Sequence, residues 1–397
     1  MLGAPIVGES CAHDNALLKM SLETTSHPTG PLLVSLIVPV YNAADYLPQA
    51  LESILAQTYR PLEIVFCDDS SRDCSLSLVE GWAAKLEGNP QLMVKICISE
   101  RNMGPGCARN RAIEISTGDV VAHFDADDIM HPERLQAQVD LYVSLPADVR
   151  DTYLLGTGFD REPLGSTPYY TDWLNGMTED DLRLHQYREC TIICPTWLYS
   201  RAIFDRIAGH RRAGDTYGNK SAFVDSSPET LEQEGISRVP EDLYFFLDHL
   251  LLGGRLSRVP RSLLTYRYTL NGWTLGSKKA DLQKVRARYL EAMVLSKWPA
   301  FQIWGYGKDG RKFIKFLTAQ TACKITGFLD VDEKKILQIS KYYCAESGKT
   351  VPIRHFTQST GDPIIVCVAS KRAGCGDLEA NIASLGLKEG VDFYHFA

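Results

Sequence analysis

The sequence predicts an α/β protein: a mostly parallel sheet with helices on both faces, followed by a smaller α/β unit toward the C-terminal end. Two patterns carry that prediction. Short apolar runs alternate with helical stripes from Leu32 onward, and polar clusters recur where those runs end. In sheets of this kind ligands sit beyond the carboxyl ends of the strands, so the clusters mark where chemistry is expected.

Residues 1–31 lack periodicity and end in His27-Pro28-Thr29-Gly30-Pro31, which reads as a flexible leader. A strand is expected over 33–40, and Leu47, Leu51, Ile54 and Leu55 form the stripe of the next helix, closed by Thr58-Tyr59-Arg60-Pro61. Pro39 and Pro48 are unusual inside regular structure. Pro48 fits the first helical turn if Asp45 is the cap, because its missing N–H has no intrahelical partner there. Three more units follow: strand 62–67 with helix 75–86, strand 92–99 with helix 106–115, and strand 120–124 ahead of helix 132–144. The pattern loosens over 151–240, where a Gly, Ser and acid-rich stretch near 214–235 suggests loops with an insertion. A helix is expected over 241–252 behind Pro240, then short strands at 256–259 and 263–268. Residues 278–295 read as a basic amphipathic helix. Beyond it come strand 300–304, a glycine turn, helix 308–317 and strands 325–329 and 363–369. The expected divisions are a leader (1–31), a main domain (32–277), a linking helix (278–299) and a small domain (300–397).

At 397 residues, with 45% hydrophobic and 10% aromatic content, the chain can bury two cores. It has no apolar run long enough to span a bilayer, and Glu9, Asp14 and Glu23 stand where a signal peptide needs an apolar block; a soluble cytoplasmic protein is expected. The eleven cysteines are spread singly, and the spacing of Cys190 and Cys194 suits no common zinc knuckle, as for buried reduced thiols. A net charge of −7 excludes general affinity for nucleic acid, so such a partner needs a local basic patch. Lys278, Lys279, Lys284, Arg286, Arg288, Arg311, Lys312 and Lys315 can supply one near the junction, and solvated helix faces explain them equally well.

Four clusters carry the candidate chemistry. Asp125-Ala126-Asp127-Asp128 follows the apolar run 120–124. Two ionised carboxylates ~4 Å apart in a partly shielded site repel by roughly 4 kcal/mol, so the arrangement needs a cation, a proton or a donor. A divalent metal carrying a diphosphate answers that need, since Mg²⁺ and Mn²⁺ prefer oxygen ligands. The first strand ends in Pro39-Val40-Tyr41-Asn42, offering a nucleotide a ring to stack on and backbone groups to bond. The second ends in Asp68-Asp69-Ser70-Ser71; an Asp carboxylate can accept the N3–H of uracil or ribose hydroxyls. Ser70, Ser71 and Asp73 read as helix caps. Asn102-Met103-Gly104-Pro105-Gly106-Cys107-Ala108-Arg109-Asn110 combines close backbone approach with a cation.

In this order and spacing, the four segments closely resemble the inverting family 2 glycosyltransferases of GT-A fold, over about residues 33–270. The resemblance implies that Asp68 or Asp69 holds uracil, that Arg109 lies near the nucleotide, that Asp125 contacts ribose or metal, and that Asp127 ligates Mn²⁺ or Mg²⁺. It also implies that Glu241-Asp242 is the acceptor-side acidic pair with Asp242 as general base, although the helix dipole alone would favour acids there. Trp197 and Trp173 are candidates to stack on an acceptor base, against the commoner role of core tryptophans.

Further segments are similar to the queuosine-tRNA galactosyltransferases, formerly β-1,3-N-acetylglucosaminyltransferase-like protein 1. They are Val239-Pro240-Glu241-Asp242-Leu243-Tyr244-Phe245-Phe246, Ser262 to Tyr268, Cys194-Pro195-Thr196-Trp197, Phe301 to Gly305, Gly327 to Glu333 and Gly390 to Phe396. That similarity implies UDP-galactose as donor and the cyclopentenediol of queuosine in tRNA(Tyr) as acceptor. One departure is Thr269, where the family is expected to show His. Alternatives are a UDP-N-acetylglucosamine transferase acting on a glycan, and a non-catalytic nucleotide-sugar or RNA-binding protein. Gly305-Tyr306-Gly307-Lys308-Asp309-Gly310, with Asp330 twenty residues on, matches a dinucleotide fingerprint. It also resembles small Rossmann-like appendages of sugar enzymes, which favours tRNA docking or packing over an NAD site.

Overall fold

A computed structural model describes residues 30–210, 240–268, 278–368 and 377–396. β1 (Val34–Val40), β2 (Leu62–Asp68), β3 (Leu92–Ile98) and β4 (Val120–His123) are the four apolar runs, paired in parallel in the order β3-β2-β1-β4. The helices Leu47–Leu55, Ser75–Ala84 and Pro105–Ile115 make the crossovers. Covered on both faces, β2 is buried along its whole length, which is why it reads as a nearly continuous apolar run. Pro39 sits inside β1 at little cost. β4 pairs with β1 only as far as Ile37, so the missing N–H falls past the last rung on that side. The first helix starts at Leu47 with Tyr46, not Asp45, as its N-cap residue, and Pro48 lies in the first turn.

The sheet continues through β7 (Leu198–Ser200), β6 (Tyr153–Glu162), β8 (Arg255–Arg267) and the short β5 (Ile129–Met130), in the order β4-β7-β6-β8-β5. β7 lies antiparallel to both β4 and β6, and β5 antiparallel to β8, so the sheet is mixed on this side. The two short strands expected at 256–259 and 263–268 are one strand. Its register against β6 shifts between Val259 and Ser262, around Pro260, where a bulge absorbs the missing donor and pairing then resumes. β6 was hidden by its glycines. Packing requires one of them, since a Cβ on Gly156 would lie 2.1 Å from the Ile192 side chain.

The second sheet contains β9 (Phe301–Trp304), β10 (Ile325–Asp330), β11 (Lys341–Cys344), β12 (Lys349–His355), β13 (Ile364–Val366) and β14 (Phe393–His395), in the order β11-β12-β10-β9-β13-β14. Every pairing is parallel except that of β11 with β12. The helix Lys279–Leu290, extended by a π-turn over Glu291–Leu295, precedes it. This helix was expected to be amphipathic, yet Asp281, Gln283, Val285, Arg286, Ala287, Tyr289 and Leu290 are all buried. Its polar residues are instead spent on neighbours: Tyr289 Oη donates to Asp248 Oδ1 at 2.5 Å and Lys312 Nζ donates to Gln283 Oε1 at 3.2 Å. Among the described residues no helix is long and apolar enough to cross a membrane. Thr269 and the stretch 214–235 lie outside the described residues.

Candidate functional site

Because β1, β2 and β4 are parallel, their carboxyl ends share one edge, and the loops leaving them carry Tyr41-Asn42, Asp68-Asp69 and the Asp125–Asp128 cluster. The first two loops are tied to each other. Ser71 Oγ accepts from Asn42 N at 3.0 Å, Asn42 Oδ1 accepts from Arg72 N at 2.8 Å, and Asp73 Oδ2 accepts from Ala44 N at 3.1 Å. These bonds hold Asn42 at a φ of 48°, a region that Asn tolerates better than most residues. Ser71 and Asp73 thus brace the neighbouring loop; Asp73 also accepts from Ser75 N at 3.0 Å, but the N-cap position of that helix is Cys74, without a side-chain capping bond. Tyr41, 47% exposed, keeps its ring open to solvent at this edge.

Asp68 and Asp69 are both buried but differently engaged. Asp69 accepts from Met103 N at 3.1 and 3.0 Å and from Gly104 N at 2.7 Å, so its carboxylate is consumed in fixing the glycine loop after β3. Asp68 Oδ2 accepts from Ser71 N at 3.0 Å, while its Oδ1 is buried without a protein partner. A buried carboxylate oxygen in that state has lost water and gained nothing, a cost a ligand N–H or O–H would relieve.

Arg109, on the helix Pro105–Ile115, bridges two acids that are distant in sequence. Its Nη2 lies 2.7 Å from Asp125 Oδ1 and its Nη1 2.9 Å from Glu241 Oε1. The guanidinium is buried. Its partners balance its charge, and it fixes the helix Glu241–Leu251 against the β4 loop.

The carboxylates of Asp125, Asp127 and Asp128 bring ligand oxygens within 4.8 Å of one another. Asp128 is fully buried, with Oδ1 accepting from Arg267 N at 3.0 Å and Oδ2 unpartnered. Burial, with Asp127 and Asp125 beside it, pushes its carboxyl well above the usual range. Three oxygens so close, one of them buried and unsatisfied, fit a hard divalent cation. Asp128 was not singled out as a site residue from the sequence; its place as third member of the acidic run was the only signal.

Glu241 and Asp242 open their helix behind Pro240 and divide the work. Glu241 is buried on Arg109; burial and the neighbouring Asp242 push it up to about 7 against the pull of that cation. Asp242 is half-buried, with Oδ1 accepting from Leu243 N at 2.7 Å. Loss of solvent raises its carboxyl, Glu189 and Asp125 add to the shift, and Arg109 opposes it. Asp242 therefore shares an electrostatic environment with the β4 cluster.

Of the two tryptophans expected on the acceptor side, Trp197 is placed differently from that role. Trp197 is fully buried, donates Nε1–H to Ile192 O at 2.9 Å, and stacks on Phe245 with ring centroids 5.4 Å apart. It is a core residue with no face for an acceptor. Trp173 is half-buried, with the Arg188 guanidinium 4.9 Å over its ring. The basic patch is also thinner than expected: Arg286 is buried on Glu189 at 2.6 Å, leaving Lys278, Lys279, Arg311 and Lys315 exposed.

Residues 35–208 match the family described as Glycosyl transferase family 2. An uncharacterized glycosyltransferase of Haemophilus influenzae is 35% identical over 108 residues, 27% of this chain and 41% of that protein. Chondroitin synthase of Escherichia coli is 33% identical over 108 residues, 27% of this chain and 15% of that protein, so the chain spans less than half the length of either relative. Among solved structures, S. aureus TarS 1-349 in complex with UDP-GlcNAc superposes with a TM-score of 0.50 at 18% identity, covering 74% of this chain and 84% of that one; the likeness is one of fold, a GT-A-like α/β arrangement.

Proposed function

We propose that this chain is a metal-dependent inverting glycosyltransferase of the cytoplasm that moves galactose from UDP-galactose to a cyclopentenediol hydroxyl of queuosine in tRNA(Tyr). One observation carries the donor half: the unpartnered, buried Asp68 Oδ1 stands on the same sheet edge as the three-carboxylate cluster after β4. Uracil N3–H donates to Asp68, the Tyr41 ring stacks on the base, and Asp69 keeps the glycine loop in place. Asp125 and Asp127 would hold Mn²⁺ or Mg²⁺, with Asp128 behind them; such an ion, when bound, offsets charge on a departing diphosphate. A sugar hydroxyl is a weak nucleophile near neutral pH. Asp242, the less buried of the acidic pair, takes the acceptor hydroxyl proton as its oxygen attacks the anomeric carbon opposite the leaving UDP, which inverts that centre in a single displacement. Glu241 serves by position, through Arg109.

The acceptor half rests on the resemblance of segments in both parts of the chain, with Lys278, Lys279, Arg311 and Lys315 as exposed cations for the phosphate backbone. A second reading, transfer of a sugar from a UDP donor to a glycan acceptor, finds support in the likeness to chondroitin synthase, whose name is that of an enzyme that builds a polysaccharide. Mass spectrometry of tRNA nucleosides after incubation with each UDP-sugar separates the two. Galactosyl-queuosine from UDP-galactose alone is the expected outcome; unmodified queuosine with every donor rejects the tRNA reading.

A further inference from the structure

The C-terminal sheet carries a cavity that the transfer reaction does not use. β9 is the central strand, parallel to β10 on one side and to β13 on the other, so the chain crosses over in opposite directions from it. Strand order reverses at that point, and a crevice opens beyond the carboxyl ends, the position where open α/β sheets take ligands. A cavity of about 330 Å³ occupies it, lined by Gly305, Gly307, Lys308, Asp330, Lys335 and Asn381 among others.

Two of the three glycines that follow β9 are required by the fold, for different reasons. Gly305 has a φ of 109°, and a Cβ there would lie 2.7 Å from Val368. A Cβ on Gly310 would lie 2.1 Å from Gly305 O, so that glycine lets the helix Lys308–Ile314 close on the strand. Gly307 is the exception. A Cβ there meets nothing within 4 Å, its φ of −110° suits any residue, and it faces the cavity. The fold itself therefore makes no demand for glycine at 307, whereas a ligand approaching the backbone would. Asp330, at the end of β10, accepts from Tyr306 N at 3.0 Å and from Lys335 Nζ at 2.7 Å, which fixes the turn and holds an ammonium at the wall of the cavity that Lys308 also lines.

The geometry points to a second nucleotide site here, taking a nucleoside mono- or diphosphate whose phosphate lies against Gly307 between Lys308 and Lys335. The cavity is at the low end of the roughly 300–1,000 Å³ typical of ligand pockets, which suits one nucleotide better than a dinucleotide. The site is separate from the donor site, and no redox step is ascribed to it.

Calorimetric titration of the full chain without UDP or divalent metal, in the native form and with the donor-site substitution Asp68→Asn, tests this with AMP, ADP, NAD⁺ and inorganic phosphate as separate arms. Saturable one-site binding of AMP or ADP is expected, tighter than phosphate and at least as tight as NAD⁺. Gly307→Val, which the fold accommodates, should weaken it tenfold or more with an unchanged Tm, and Lys308→Glu, at an exposed position, should do the same. No saturable binding of AMP or ADP, equal binding in both variants, or tenfold tighter binding of NAD⁺ would each overturn the proposal.

Discussion

Two carboxylates one residue apart can have opposite jobs, and their partners tell them apart. Asp69 is saturated by backbone N–H groups of the glycine loop, whereas Asp68 retains a buried oxygen without a partner. Asp68→Asn should therefore raise the KM for the UDP-sugar with little change in Tm, because it turns an acceptor toward uracil into a group that can present a donor. Asp69→Asn should lower stability by about 1–3 kcal/mol, since buried N–H groups lose a charged acceptor; paired thermal melts and kinetics on the two variants check this. Asp242→Asn should reduce transfer by about 10²–10⁴-fold, the span usual for a general base, while UDP still binds. Full activity in that variant would remove Asp242 from the mechanism. Since Asp242 must be ionised to take a proton and its carboxyl is raised, kcat/KM should fall as pH drops through an apparent pKa above the ordinary carboxylate range. An acid limb near 4 would contradict the environment described for it.

At the scale of elements, Arg109 joins the β4 loop to the helix Glu241–Leu251, its own bond to Glu241 spanning 132 residues of sequence. Arg109→Leu leaves two acids facing each other in a buried place. It should cost about 3–5 kcal/mol, the range for breaking a buried ion pair, and should reduce transfer as well. Glu241→Gln keeps the hydrogen bond and should cost less; equal losses in a denaturant titration would contradict this. The elements also show what the sequence could disclose. β1 to β4 were legible since each is an apolar run with its own crossover helix. β6 and β8 were not: glycines, one of them demanded by the Ile192 side chain, blurred the first, and Pro260 at a bulge split the second in two. The helix Lys279–Leu290 looked basic and amphipathic, whereas its charged and polar side chains reach partners on other elements, which no periodicity reveals.

For the molecule as a whole, chemistry was legible where it is local. Asp125, Asp127 and Asp128 are neighbours in the chain, so the acidic cluster could be read directly. The choice of Asp68 over Asp69, the burial of Glu241 on Arg109 and the core position of Trp197 depend on contacts between distant segments. They needed three dimensions. Removal of divalent metal should abolish transfer, and Mn²⁺ or Mg²⁺ should restore it, with UDP release as the readout; transfer that is undiminished by a chelator would reject the metal. The most direct measurement is anomalous diffraction from crystals of the protein soaked with UDP and Mn²⁺. The expected result is one manganese peak at the oxygens of Asp125 and Asp127, in contact with the UDP diphosphate, with the uracil on Asp68. UDP bound with no manganese at those acids, or bound elsewhere on the chain, would contradict it.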